Sequence, residues 1–266
     1  MSTSLYPPTR PRSLAELLDA SLKIFRVSLL KCLPFATLAI LAGQLTTFYD
    51  VARGHLPDAL NVNDPIWVTL YLVGAVLAVI LWMATLLRQS LVASGRAASR
   101  TDLLDVLKNA PAITAISLLS GAAVAVLILP PLTLVEPYRS VGLAVMLVPA
   151  IYLFVALSFS LPARMLAHKG VLQSLSYSMA LIRGNWWRAA AMYVIGLSII
   201  TVFYLLAAVM AAMVMPESGH LMALERAVTT TAILAVGAIG LTFYTAITLT
   251  VFADLEIRKA NRPRPA

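Results

Sequence analysis

The chain has 266 residues, a net charge of +8, 60% hydrophobic residues and only 12% charged ones. Soluble domains carry about twice that share of charge, so a soluble globular domain is excluded. The cations lie in short scattered segments and not on one module, which excludes a nucleic-acid-binding surface, and a lone cysteine, Cys32, excludes an internal disulfide or a thiolate metal cluster.

Residues 1–12 form a Pro/Arg-rich head expected to be flexible. Before residue 31 no long apolar core and no small-residue cleavage site occurs, so the first span is expected to act as its own insertion signal. Ser13 and Glu16 make an S-x-x-E capping pattern. Leu14, Leu17, Leu18, Leu22 and Phe25 then share one helical face, which predicts a short amphipathic surface helix. Arg26 and Lys31 form a basic hinge after it. Six charge-free stretches follow along the chain: Cys32–Tyr49, Pro65–Leu87, Asn109–Val135, Ser140–Ala163, Ala189–Pro216 and Ala227–Ala253. About 20 helical residues cross the hydrocarbon of a bilayer, so each can span. The runs are apolar on all sides, which favours helices over alternating strands.

Two more polar stretches precede pairs of spans. Ser99 and Asp102 offer a start to a helix carrying Leu103, Leu104 and Leu107, followed by a Lys108-Asn109 hinge. Gly170 opens a third, with Val171, Leu172, Leu175, Met179 and Ile182 as its stripe. Gly184 is placed to end that helix, and Asn185 to cap the fifth span with Trp187 and Arg188 in its first turn. Pro34 falls in the first turn of span one, where proline is tolerated. Pro149 predicts a kink in span four, and Pro130-Pro131 an end to the regular helix of span three. Gly121, Ala125, Gly237 and Gly240 permit close helix contact. The predicted architecture is an all-α membrane protein: six transmembrane helices as three hairpins, each preceded by a cytoplasmic amphipathic helix, in one domain over residues 13–257. A flexible basic tail is expected over 258–266.

Charge supplies direction. Six crossings sort the 20 Lys and Arg residues 17 to 3 in favour of the side holding both termini, while the 12 acids divide evenly. Basic loops remain in the cytoplasm, so both termini are expected there, in a bacterial inner membrane. The first and third units also align without a gap at an offset of 157: Ser21 meets Ser178, Arg26 meets Arg183 and Lys31 meets Arg188. This reads as a parallel internal repeat of surface helix, hinge, span, loop and span.

The densest group of polar and amphipathic side chains is Arg183, Asn185, Trp186, Trp187 and Arg188. Indole settles at the headgroup level and arginine reaches phosphate. With Arg26 and Lys31, these residues are the candidate headgroup and interface anchors, and anionic lipid or a membrane-protein partner is the expected ligand. The stretch "SLSYSMALIRGNWWRAAAMYVIG" resembles the R-G-N-W-W-R region of YciC-like bacterial inner-membrane proteins and of the membrane domain joined to some glycerophosphodiester phosphodiesterases. "LAELLDASLKIFRVSLLKCLPF" is similar to that group's other characteristic stretch. The resemblance implies the six-span architecture and brings no catalytic residues.

Chemistry finds little footing elsewhere. His55 and His220 lie in different outer loops and His168 on the opposite side. Asp50, His55, Asp58, Asp64, Glu217 and His220 are metal-ligating types without ligand spacing, and are expected to be ordinary solvated loop residues. No nucleophile elbow or phosphate cradle is visible, so no enzyme activity, metal or cofactor is expected. The alternative is a transporter or lipid-moving protein with a neutral path past Gln44, Thr46, Thr47, Ser117, Ser120, Thr245, Thr248 and Thr250.

Overall fold

The computed structural model describes residues 5–8, 10–54, 61, 63–97, 99–214 and 223–261. Ten helices occur there: α1 (Leu14–Gly43), α2 (Leu45–Ala52), α3 (Pro65–Ala93), α4 (Arg100–Lys108), α5 (Ala110–Leu132), α6 (Tyr138–Leu157), α7 (Ser160–Leu166), α8 (Val171–Ile182), α9 (Trp186–Val214) and α10 (Ala223–Ala260). Six segments, with α6 and α7 taken together, are long and apolar enough to cross a membrane. Outward-facing apolar side chains such as Val126, Val148 and Leu205 are more than half exposed. Such a surface suits hydrocarbon and not water.

α10 is the hub. Its apolar window is 78% buried, against 11% for α5, so α1, α3 and α9 pack around it while the α5–α6 hairpin sits at the edge. Leu17, Phe159, Met192, Ile247 and Phe252 fill one half of the core; Met83, Leu86, Ile113, Ile116 and Leu249 fill the other. Polar side chains inside the bundle bridge helices. Gln89 of α3 donates to Ser28 Oγ of α1 (2.8 Å) and to the Thr242 carbonyl of α10 (3.2 Å). Ser21 Oγ shares a 2.6 Å hydrogen bond with Thr250 Oγ1.

The spans alternate in direction. Arg12, just before α1, meets Asp254 near the end of α10, and Arg188 at the start of α9 meets the same carboxylate. Asn109, before α5, meets Arg164 at the end of α7. Odd spans therefore begin, and even spans end, at one common end of the bundle.

The capping box forms as expected: Ser13 N–H donates to Glu16 Oε2 (2.7 Å), and Glu16 N–H to Ser13 Oγ (3.2 Å). The expected separate surface helix before span one does not. α1 runs unbroken through Arg26 and Lys31 and stops at Gly43, with the short α2 completing the stretch to Ala52. The aligned repeat explains the difference. Gly184, at φ +77°, breaks the chain between α8 and α9. Its counterpart at the 157 offset is Val27, a β-branched residue that resists positive φ, so the first unit continues as helix.

Burial otherwise follows the repeat closely. Leu17, Ser21, Ile24, Cys32, Ala36 and Ala39 are buried, and so are their counterparts Ser174, Ser178, Leu181, Ala189, Tyr193 and Gly196. The stripes drawn from hydrophobicity are borne out in part: Leu17 and Ile182 are buried and Leu18, Leu22, Phe25, Val171 and Leu175 pack against the core, while serines share the buried face. α8 turns Ser174 and Ser178 inward and leaves Leu172 and Met179 exposed at 72% and 46%.

Span four is interrupted at Ser158–Phe159, while the helix runs through Pro149. Ser178 satisfies that interruption. Its hydroxyl donates to the Ala156 carbonyl (2.6 Å) and accepts from the Phe159 N–H (3.2 Å). Backbone groups freed at a helix break need such partners when water cannot reach them.

Candidate functional site at the α8–α9 junction

The site begins with a turn. Arg183 caps α8 through its N–H to the Met179 carbonyl (3.1 Å), Gly184 takes the left-handed conformation, and Asn185 N–H returns to the Ile182 carbonyl (2.8 Å). The Asn185 carbonyl then accepts from the N–H groups of Arg188 and Ala189, opening α9 with both tryptophans and Arg188 in its first turn. Trp186 stacks on Tyr152 of α6 (centroids 5.7 Å apart) and donates from Nε1 to the Tyr152 carbonyl (3.2 Å). Trp187 meets Trp186 edge-on at 4.6 Å and is 81% exposed.

Together these residues line a cleft of about 510 Å³, to which α6 contributes Tyr152 and α10 contributes Arg258. The sequence-predicted group Arg183, Asn185, Trp186, Trp187 and Arg188 is therefore brought together. Arg26 and Lys31 are exposed on α1 and do not line the cleft.

Behind the cleft lies a group that sequence reasoning missed. The side chain of Asp254 has no solvent exposure, and those of Arg188 and Arg258 are 18% and 29% exposed. Asp254 Oδ2 accepts from Arg188 Nε (3.0 Å) and Arg258 Nε (2.8 Å), and Oδ1 accepts from the Arg12 N–H (2.7 Å). Both guanidiniums also donate to the Arg12 carbonyl. The backbone of Arg12 is thus clasped on both sides, and Leu5 N–H bonds the Ala93 carbonyl (3.0 Å). This segment of the expected flexible head crosses the end of the bundle under hydrogen bonds. Likewise α10 carries Arg258 and Lys259, assigned from sequence to the tail, within its last turn. Cations there complement the helix dipole, and Arg258 pairs with Asp254 at i,i+4. That spacing was visible in the sequence and was the available clue.

α8 is tied to the same region. Tyr177 donates to Glu256 Oε1 (2.9 Å), and Lys259 Nζ lies 3.8 Å from its ring centroid. Burial, then the Glu256 carboxylate, pushes the Tyr177 hydroxyl up to about 12. Arg183, Arg188 and Arg258 line the cleft beside an exposed indole, with the Asp254 carboxylate buried behind them. Such a cleft can hold an oxyanion through charge-assisted hydrogen bonds.

Several of the other sequence candidates have local partners. Asp50 is buried and accepts from Trp67 Nε1 (3.1 Å). Asp64 caps α3 through the Ile66 N–H (2.9 Å) and accepts from the Tyr49 hydroxyl (2.8 Å). Tyr49 and then these amides hold Asp64 below the usual carboxylate range. His55, Asp58, Glu217 and His220 lie outside the described residues. Thr245, Thr248 and Thr250 donate to carbonyls of their own helix, and Ser117 does the same. Thr47 donates to Gln44 Oε1 (3.0 Å).

The fold thus defines an all-helical protein with six helices able to cross a membrane and a basic, tryptophan-rimmed cleft at one end. Compared with protein-family models, curated proteins and solved structures, the chain matches none.

Proposed function

We propose that this is a non-catalytic, multi-pass protein of the bacterial inner membrane, of the YciC-like six-span type, acting as an anionic-lipid-binding scaffold in envelope maintenance. The observation that carries the reading is the cleft in which Arg183, Asn185 and Trp187 surround an opening backed by Arg188 and Arg258. A phosphate fits the guanidinium fork, and indole favours the headgroup depth. α8 supports this placement, because its exposed Leu172 and Met179 suit an interfacial helix.

Arg183→Gln should lower retained phosphatidylglycerol and cardiolipin about tenfold, the scale of one charge-assisted hydrogen bond. Native mass spectrometry of protein extracted with its own lipids measures this. Arg26→Gln with Lys31→Gln, away from the cleft, is the comparison and should change retention far less. Undiminished lipid on Arg183→Gln would remove the basis of the proposal.

The 17-to-3 distribution of Lys and Arg supports a cytoplasmic position for the cleft and both termini. Cysteine tags at either end should resist a membrane-impermeant maleimide in intact spheroplasts. Labelling from outside would invert the map. The transport alternative draws less support, since the span-six threonines donate to carbonyls of their own helix, and Thr250 and Thr245 also bond Ser21 of α1 and Trp82 of α3.

A further inference from the structure

A second cavity, of about 570 Å³, lies away from the arginine cleft, between the α5–α6 hairpin and the faces of α3 and α10. Trp82, Gly121, Ala125, Phe154 and Tyr244 line it. Along α5 it extends from Ser117 to Leu129, twelve helical rises or about 18 Å. That is close to the hydrocarbon depth of one leaflet, about 15 Å.

Water does not suit this space. The hydroxyls of Ser117, Ser158 and Ser160 on its wall already donate to carbonyls of nearby helical turns. Ser120 Oγ is buried without a hydrogen-bond partner. These few hydroxyls, three of them with their protons already used, sit in a wall that is otherwise apolar and does not favour a buried water. Nor is the space simply the outer surface of a helix, since α3, α5, α6, α7 and α10 all contribute to its wall. Its width is set by small residues on α5: a Cβ built on Gly121 meets nothing within 4 Å.

We propose that this cavity is a binding site for one acyl chain of a membrane phospholipid, which enters between the α5–α6 hairpin and α3. The site is apolar, leaflet-long and walled, so it selects a single hydrocarbon chain and makes no demand on the headgroup. The inference rests on the six helices lying in a membrane and is independent of the arginine cleft.

The test uses the unmodified chain in vesicles doped with a phosphatidylcholine bearing a diazirine midway along one acyl chain. Its headgroup is neutral, so the outcome does not depend on Arg183. After photolysis, peptide mass spectrometry should find label on Trp82 and the Ser120–Ala125 stretch as well as on outward-facing Val126 and Val148. Gly121→Leu extends a side chain into this space from a position where its Cβ meets nothing within 4 Å, and should cut the Trp82 label roughly fivefold, the outer label staying constant. Ala125→Leu repeats the test from one turn further along. Label confined to Val126 and Val148 in the unmodified chain would overturn the proposal, as would Trp82 label that neither substitution reduces. The first result would mean that protein closes the cavity, the second that Trp82 meets only bulk lipid.

Discussion

Asp254→Ala is expected to destabilise the protein by about 3 kcal/mol, the lower end of the range for removing one partner of a buried ion pair. The carboxylate is fully buried, whereas its two guanidiniums keep 18% and 29% of their side-chain surface in solvent. Their partial exposure lets water recover some of the lost interaction, which places the estimate at the low end. Three connections fail together in this variant: α9 to α10 through Arg188, the i,i+4 pair with Arg258, and the Arg12 N–H. Asp254→Asn retains an acceptor for Arg12 and should fall between wild type and alanine. Arg12→Ala should be nearly silent, because the clasp holds the backbone of that residue. Thermal unfolding in detergent ranks the three. Trypsin cleavage after Arg12 should accelerate in Asp254→Ala, since the amide and carbonyl of that residue are what the network holds. Equal cleavage rates in Asp254→Ala and wild type would show that the clasp does not secure the segment.

The same network marks where sequence reading stops. Long apolar runs and the basic bias of one set of loops are statements about solvent, and each residue contributes to them independently. They gave six helices able to span, and the alternation of direction follows from the contacts at the common end. The Ser13–Glu16 cap and the Gly184 turn were legible because they depend on neighbours within a few residues. The continuity of α1 depended on comparing Val27 with Gly184, a difference that became informative once one unit was seen to break there. Amphipathic stripes misled in part, for a different reason. A soluble helix buries its apolar face, but a helix beside lipid can turn serines to the protein and leucines outward, and α8 does bury Ser174 and Ser178 while exposing Leu172 and Met179. Asp254 escaped notice because it closes a charge-free run and reads as the first solvated residue. Its burial arises from Arg12 and Arg188, residues distant in the chain that fold against it. The cleft itself was half visible: five of its residues are consecutive or nearly so, but Tyr152 and Arg258 arrive from α6 and α10.

Close helix contact shows the same limit, and it yields the second large effect. Among the small residues singled out from sequence, Gly237 and Gly240 do face α9, through Tyr204 and Ile200, while Gly121 faces open space. The tightest backbone approach belongs to Gly74 on α3. A Cβ there would fall inside the van der Waals shell of the Ala42 carbonyl oxygen near the end of α1, with Leu45 Cδ1 also close at 3.7 Å. Backbone cannot swing away as a side-chain tip can, so the helices must separate. Gly74→Leu should therefore cost about 3 kcal/mol, at the upper end of typical overpacking penalties. Gly121→Leu makes the identical chemical change on α5, where an added Cβ meets nothing within 4 Å, and should cost far less, with helix propensity in its favour. The pair cancels any general effect of adding a leucine to a long apolar helix. Unfolding temperatures in one detergent compare them directly. If Gly74→Leu unfolds alongside Gly121→Leu, α1 and α3 do not meet backbone to side chain at this point, and the α1–α3–α10 core needs redrawing.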